Sequence, residues 1–209
     1  MSTLTRLLSA AATFAVLLGL AAPAQAQAAN GSDLRTALNT TLAEHVYLAA
    51  SATEAALGGR SAEFKEAAGG LDANSVALSK AIGSVYGGDA ETAFLALWRK
   101  HIGFFVDYTT GVAKKDQAMQ DKAVKDLVGY ADDFGAFLAS ANPNLPKDVV
   151  AGLVRSHVVS LKDVVDAQGK GDWATAYAKL RSAAAHMQMI ADPLAMAIVK
   201  QYPEKFAMK

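Results

Sequence analysis

The chain has 209 residues, with 20 Lys and Arg against 20 Asp and Glu, 52% hydrophobic residues and no cysteine. So apolar a chain buries a sizeable core, which excludes a disordered polypeptide, and its even charge lacks the basic excess of a nucleic-acid binder. Without cysteine there is no disulfide framework, thiolate zinc site, iron–sulfur cluster or cysteine nucleophile, so a metal would be held by His, Met, carboxylate or backbone oxygen.

Residues 1–28 read as a secretory signal. Met1 to Arg6 is a short basic start, Leu7 to Ala22 is an apolar run, and Pro23 with the small-x-small sequence Ala24-Gln25-Ala26 follows. The run falls short of the ~20 apolar residues of a membrane-spanning helix. The mature chain is therefore expected to begin near Gln27 or Ala29, in the periplasm or outside a bacterial cell, with no membrane span. Removing Arg6, the only charged residue of that segment, leaves 19 positive and 20 negative side chains. A short linker, 29–34, is expected to lead into a single helical domain, 35–209.

Downstream, Gly, Pro, Asn and Asp punctuate the chain at 30–33, 58–59, 69–70, 87–89, 142–146, 169–172 and 203. Between these breaks apolar residues recur at i, i+3, i+4 and i+7, as in Leu38, Leu42, Val46 and Ala49, then Phe94, Leu97, Trp98, Phe105 and Tyr108. Alternating β-branched runs are absent. The class is all-α.

Three of the four histidines, His45, His101 and His157, are spaced by 56 residues. Laying 35–90, 91–146 and 147–202 over one another without a gap aligns Leu38 with Phe94 and Val150, Leu42 with Trp98 and Val154, and Val46 with Ile102 and Val158. The second helices agree through Leu78, Phe134 and Ile190, then Ile82, Leu138 and Leu194. The spacing predicts three helical hairpins of 56 residues, packed as a six-helix bundle, because one hairpin cannot cover its own apolar stripe. Pro193 predicts a kink or break in the sixth helix, and Gly69-Gly70 a loose first half in the second.

Each repeat histidine lies on its helix's apolar stripe, seven residues after Leu38, Phe94 or Val150. His186, in Ala185-His186-Met187-Gln188-Met189, shares a column with Asn74 and Tyr130. Convergent buried imidazoles cannot all carry protons, and each one left unpaired costs on the order of 1–3 kcal/mol. A shared metal ion removes both penalties, since neutral imidazole ligates zinc, copper, nickel and iron. His45, His101, His157 and His186 are therefore the candidate ligands, with Met187 and Met189 as thioethers suited to copper(I), and Asp107 and Asp163 as further oxygen donors. Non-covalent haem, with axial imidazoles in an apolar pocket containing Trp98, Phe104, Phe105 and Tyr108, is a related reading.

The alternative is a metal-free module that contacts the cell envelope or an apolar ligand, its histidines hydrogen-bonded within the core to partners such as Tyr130 and Asn74. No Gly-x-Ser-x-Gly, Glu-x-x-His, His-Glu-x-x-His or phosphate loop occurs. No catalytic residue is assigned, and an enzyme is the third reading.

The segment Leu97-Trp98-Arg99-Lys100-His101-Ile102-Gly103-Phe104-Phe105-Val106-Asp107-Tyr108-Thr109, together with Leu71-Asp72-Ala73-Asn74-Ser75, Ser140-Ala141-Asn142-Pro143-Asn144-Leu145-Pro146 and Ala185-His186-Met187, resembles a group of secreted bacterial helical domains. Similar domains occur beside copper-amine-oxidase-like N-terminal segments. The resemblance implies export and residence at the cell envelope, and it transfers no catalytic residue.

Overall fold

The computed structural model describes residues 30–207. The expected signal sequence lies outside the described residues. Among those residues there are seven long helices and one short one, with no strand: α1 (Gly31–Leu57), α2 (Ser61–Tyr86), α3 (Gly88–Lys114), α4 (Gln117–Ala141), α5 (Lys147–Gly169), α6 (Trp173–His186), α7 (Gln188–Gln201) and α8 (Pro203–Phe206). No helix among them is long and apolar enough to cross a membrane.

Local chemistry sets most of these ends. The Asn30 side chain accepts hydrogen bonds from the backbone N–H groups of Ser32 and Asp33 at 2.9 and 3.0 Å. That cap starts α1 at Gly31, so residues 31–34, expected as linker, form its first turn instead. Asp116 and Asp172 cap α4 and α6 in the same way, accepting from Met119 and Thr175. Gly87, at φ 92°, alone turns the chain from α2 into α3, in a conformation that side-chain-bearing residues seldom adopt.

Connections of one to five residues make α1 through α6 antiparallel neighbours in sequence order. The odd helices α1, α3 and α5 touch one another at the centre. Outside them, α2 packs against α1 and α3, α4 against α3 and α5, and α6 followed by α7 against α5 and α1. Each outer layer is tied to one inner helix by one arginine–aspartate pair: Asp72 of α2 with Arg99 of α3 at 2.7 Å, Asp132 of α4 with Arg155 of α5, and Asp192 of α7 with Arg35 of α1. Such exposed pairs add at most about 1 kcal/mol each. Stability comes from the interior, where Leu38, Leu42, Val46, Phe94, Trp98, Val154, Val158, Leu127, Phe134 and Ile198 form one continuous core. The close approach of α4 to α5 depends on Gly135, where a Cβ would stand 2.6 Å from the Lys147 carbonyl oxygen.

Two expectations change. The anticipated sixth helix is two helices, and the break falls at Met187 rather than at Pro193, which lies inside α7. Proline has no N–H to offer the Met189 carbonyl, and its ring crowds that oxygen. The chain yields one and a half turns upstream, where the Met187 carbonyl accepts from both Ile190 at 3.1 Å and Ala191 at 2.8 Å. α2, by contrast, runs unbroken through Gly69-Gly70. Its first half is largely exposed and touches the body through half-buried Phe64 and buried Leu71.

Candidate metal centre

The inner helices bring three imidazoles to one level. His45 on α1, His101 on α3 and His157 on α5 retain 2%, 3% and 5% of their surface. Their candidate ligand atoms all lie within 4.8 Å of one another. The His45 ring centroid is 5.4 Å from that of His101 and 5.9 Å from that of His157. Nitrogens sharing one ion at bonds of ~2.0–2.1 Å stand roughly 3.4 Å apart, so ring rotations of little over an ångström close the set.

Aromatic side chains wall this cluster. Trp98 stands edge-on to both His45 and His101, at centroid distances of 5.0 and 4.7 Å. Tyr130 from α4 stacks on His101 at 4.8 Å. Behind them Phe94 and Phe134 extend the aromatic packing. Nothing in this wall neutralises the ring nitrogens. The Nδ1 atoms of His45, His101 and His157 are all buried without a hydrogen-bond partner.

The partners that a purely structural role would require do not reach the ring nitrogens, and the Asn74 Oδ1 is itself buried without a partner. Tyr130 lies flat on His101, and its hydroxyl is itself buried and unpartnered. Asn74 donates to the Thr41 carbonyl at 2.9 Å and to the Glu44 carboxylate at 2.7 Å. Packing alone therefore leaves three buried imidazole nitrogens unsatisfied, one on each ring of the cluster, each costing on the order of 1–3 kcal/mol.

Burial also fixes their protonation. Desolvation pushes His101 and His157 down to about 3, helped by the charge that each neighbouring histidine would carry. The Trp98 backbone beside His101 opposes this in part, without a hydrogen bond of ordinary geometry. His45 is likewise held well below the ordinary range, first by burial and then by His101. All three are neutral near pH 7, the form that binds a metal.

The other candidates stand apart. His186 is half-buried, lies outside the convergent set and donates from Nε2 to the Leu153 carbonyl at 3.2 Å. It remains near enough for its charge to lower the His157 pKa. Met187 is buried in the core at the α6–α7 joint, whereas Met189 is 57% exposed. Asp107 is exposed on α3. Asp163 is paired with Lys179 at 2.8 Å. Among the described residues the convergent set thus holds three imidazoles and no carboxylate.

Sequence spacing found the three converging histidines but missed what lies beside them. His45 and His101 also line one end of an apolar cavity of about 330 Å³, bounded by α1, α3 and the first half of α2. Its faint signal is the small-residue series Ala49, Ala52, Ala56 on α1. No protein-family model, curated protein or solved structure matches the chain.

Proposed function

We propose that the protein is an exported binder of a single transition-metal ion, copper(I) by preference, held by His45, His101 and His157. The observation that carries this reading is the set of three buried, unpartnered Nδ1 atoms on imidazoles whose ligand atoms lie within 4.8 Å of one another. An ion among the three rings would give one nitrogen of each a bond that the core does not supply.

Charge favours copper(I). Three neutral ligands with no carboxylate leave the full charge of the ion inside an apolar core, and the cost of burying an ion rises steeply with its charge. A monovalent ion that accepts three imidazoles suits this setting better than zinc(II) or iron(II), which would need a bound hydroxide or another anion. Haem fits less well, because three imidazoles in mutual contact leave no slot for a porphyrin plane. His186, Met187, Met189, Asp107 and Asp163 are not ligands in this reading. An ion held by these residues would be reachable from the cavity that His45 and His101 also line.

Export follows from the arrangement of residues 1–28, and the role is metal handling or sensing at the cell envelope. The 56-residue histidine spacing and the aligned apolar columns support an origin by repetition of a helical hairpin. The test is an equilibrium titration of the chain lacking residues 1–28 with copper(I) against a chromogenic chelator, and with zinc(II). The expected result is one tightly held copper(I) per chain and weaker zinc. Substoichiometric copper, or copper given up to a weak chelator, would contradict the proposal.

A further inference from the structure

The cavity beside the histidines has a shape and chemistry of its own. It runs along α1 from His45 to Ala56 and along α3 from His101 to Lys114. At 1.5 Å per helical residue that is a trough roughly 17–20 Å long. Its volume of about 330 Å³ lies at the lower end for small-molecule sites. A long and slender space of this kind fits an extended chain better than a ring system.

The walls are apolar: Ala49, Ala52, Ala56, Phe64, Leu71 and Phe105. Three threonines also line it, but their hydroxyls are already committed. Thr53 is bonded to the Ala50 carbonyl and to Gln168, Thr109 to the Phe105 carbonyl, and Thr110 to the Val106 carbonyl. Along its length the trough therefore offers hydrocarbon contacts and no free hydroxyl donor.

Its two ends differ. At the inner end stand the neutral imidazoles of His45 and His101. At the outer end is Lys114, the only charged side chain among the lining residues. Lys114 is exposed and forms no ion pair among the described residues. One unpaired ammonium at the mouth of an apolar trough complements an anionic head on a hydrocarbon chain. The first half of α2, which lines the trough through Phe64 and Leu71, is otherwise largely exposed to solvent.

We propose that this trough binds a single-chain carboxylate of the fatty-acid type, with its head at Lys114 and its chain running inward to His45 and His101. The site needs no metal, and metal-free protein is used to test it, so failure to bind copper would leave it standing.

The measurement is calorimetric titration with dodecanoate below its micellar concentration, with dodecyltrimethylammonium as the cationic counterpart. The expected result is one dodecanoate per chain, and the cation bound about tenfold more weakly, the scale of one charge-assisted contact. Lys114→Glu, a change at an exposed position, is expected to weaken dodecanoate about tenfold and to reverse the preference. Ala52→Phe, which puts a ring into the trough, is expected to abolish binding of both, and circular dichroism checks that it folds. Absence of dodecanoate binding to the wild-type chain would overturn the proposal. So would equal affinity for the two amphiphiles that Lys114→Glu leaves unchanged, a result that decides the matter even if Ala52→Phe fails to fold.

Discussion

Replacing His157 by leucine is expected to weaken copper(I) binding by more than about 100-fold, beyond the usual loss for an outer partner of a metal ligand. The same change is expected to raise the stability of the metal-free protein, by on the order of 1 kcal/mol, because an apolar side chain removes an unsatisfied buried nitrogen. His157 sits in a packed core beside Val154, Val158 and Leu161, where leucine fits the surroundings in size and polarity. The opposite signs give the experiment its force. A histidine kept for packing would, when replaced, cost stability and leave copper binding where it was. Chelator competition and thermal unfolding of the two proteins, with and without copper(I), read both quantities. Loss of several degrees in the metal-free melting temperature with unchanged copper affinity would contradict the ligand role.

Acid is expected to unfold the metal-free protein earlier and more steeply than surface carboxylates alone would. His101 and His157 are neutral in the native state down to about pH 3, and His45 is lowered too, while in the unfolded chain all three take up protons near pH 6.5. Below 6.5 the unfolded state therefore binds more protons than the native one. Stability is intact above 6.5 and is lost as the pH falls from there toward 3. With three protons taken up on unfolding the slope approaches about 4 kcal/mol per pH unit. A domain of ordinary stability, about 5–15 kcal/mol, would be exhausted between roughly pH 5 and pH 3. Carboxylates lowered by arginine partners, such as Asp72 and Asp192, add only a little at lower pH, since both are close to solvent. Urea unfolding between pH 7 and pH 4 measures the slope directly. The triple variant His45→Leu, His101→Leu, His157→Leu should flatten it, and copper(I) loading should shift the acid midpoint downward. A wild-type stability that stays level from pH 7 to pH 4.5 would show that the imidazoles are not held neutral as their burial requires.

Much of this architecture was legible in the residues. Helical periodicity around Leu38, Leu42 and Val46, and around Phe94 and Trp98, identified the faces that are now buried. Position on those stripes put His45, His101 and His157 inside, and their equal spacing placed them at one level. The same logic was weaker for His186. A column shared with Asn74 and Tyr130 says which level a residue occupies, and its hydrogen bond to Leu153 keeps it from the centre. Asp107 and Asp163 lie six residues from a histidine, which at 100° per residue turns them well away from it. Exposure of Asp107 and the Asp163–Lys179 pair follow from that geometry.

Other features depend on tertiary packing that periodicity does not encode. Proline at 193 announced a defect in the last long helix, but its position at Met187 depends on which turn can tighten while burying the methionine side chain. The trough exists because small residues on α1 face α3 under a lightly packed stretch of α2, a relation among three helices. Gly69-Gly70 hinted at looseness there, and the helix stays regular while its contacts thin out.

If three imidazoles from three helices share one ion, X-ray absorption at the copper edge of the copper(I)-loaded chain lacking residues 1–28 will read them as its neighbours. Three nitrogen neighbours at about 2.0 Å, with the outer-shell pattern of imidazole and no sulfur, are the expected result. A sulfur neighbour from methionine, or a single imidazole with oxygen neighbours, would place the metal elsewhere on the protein and contradict the shared site.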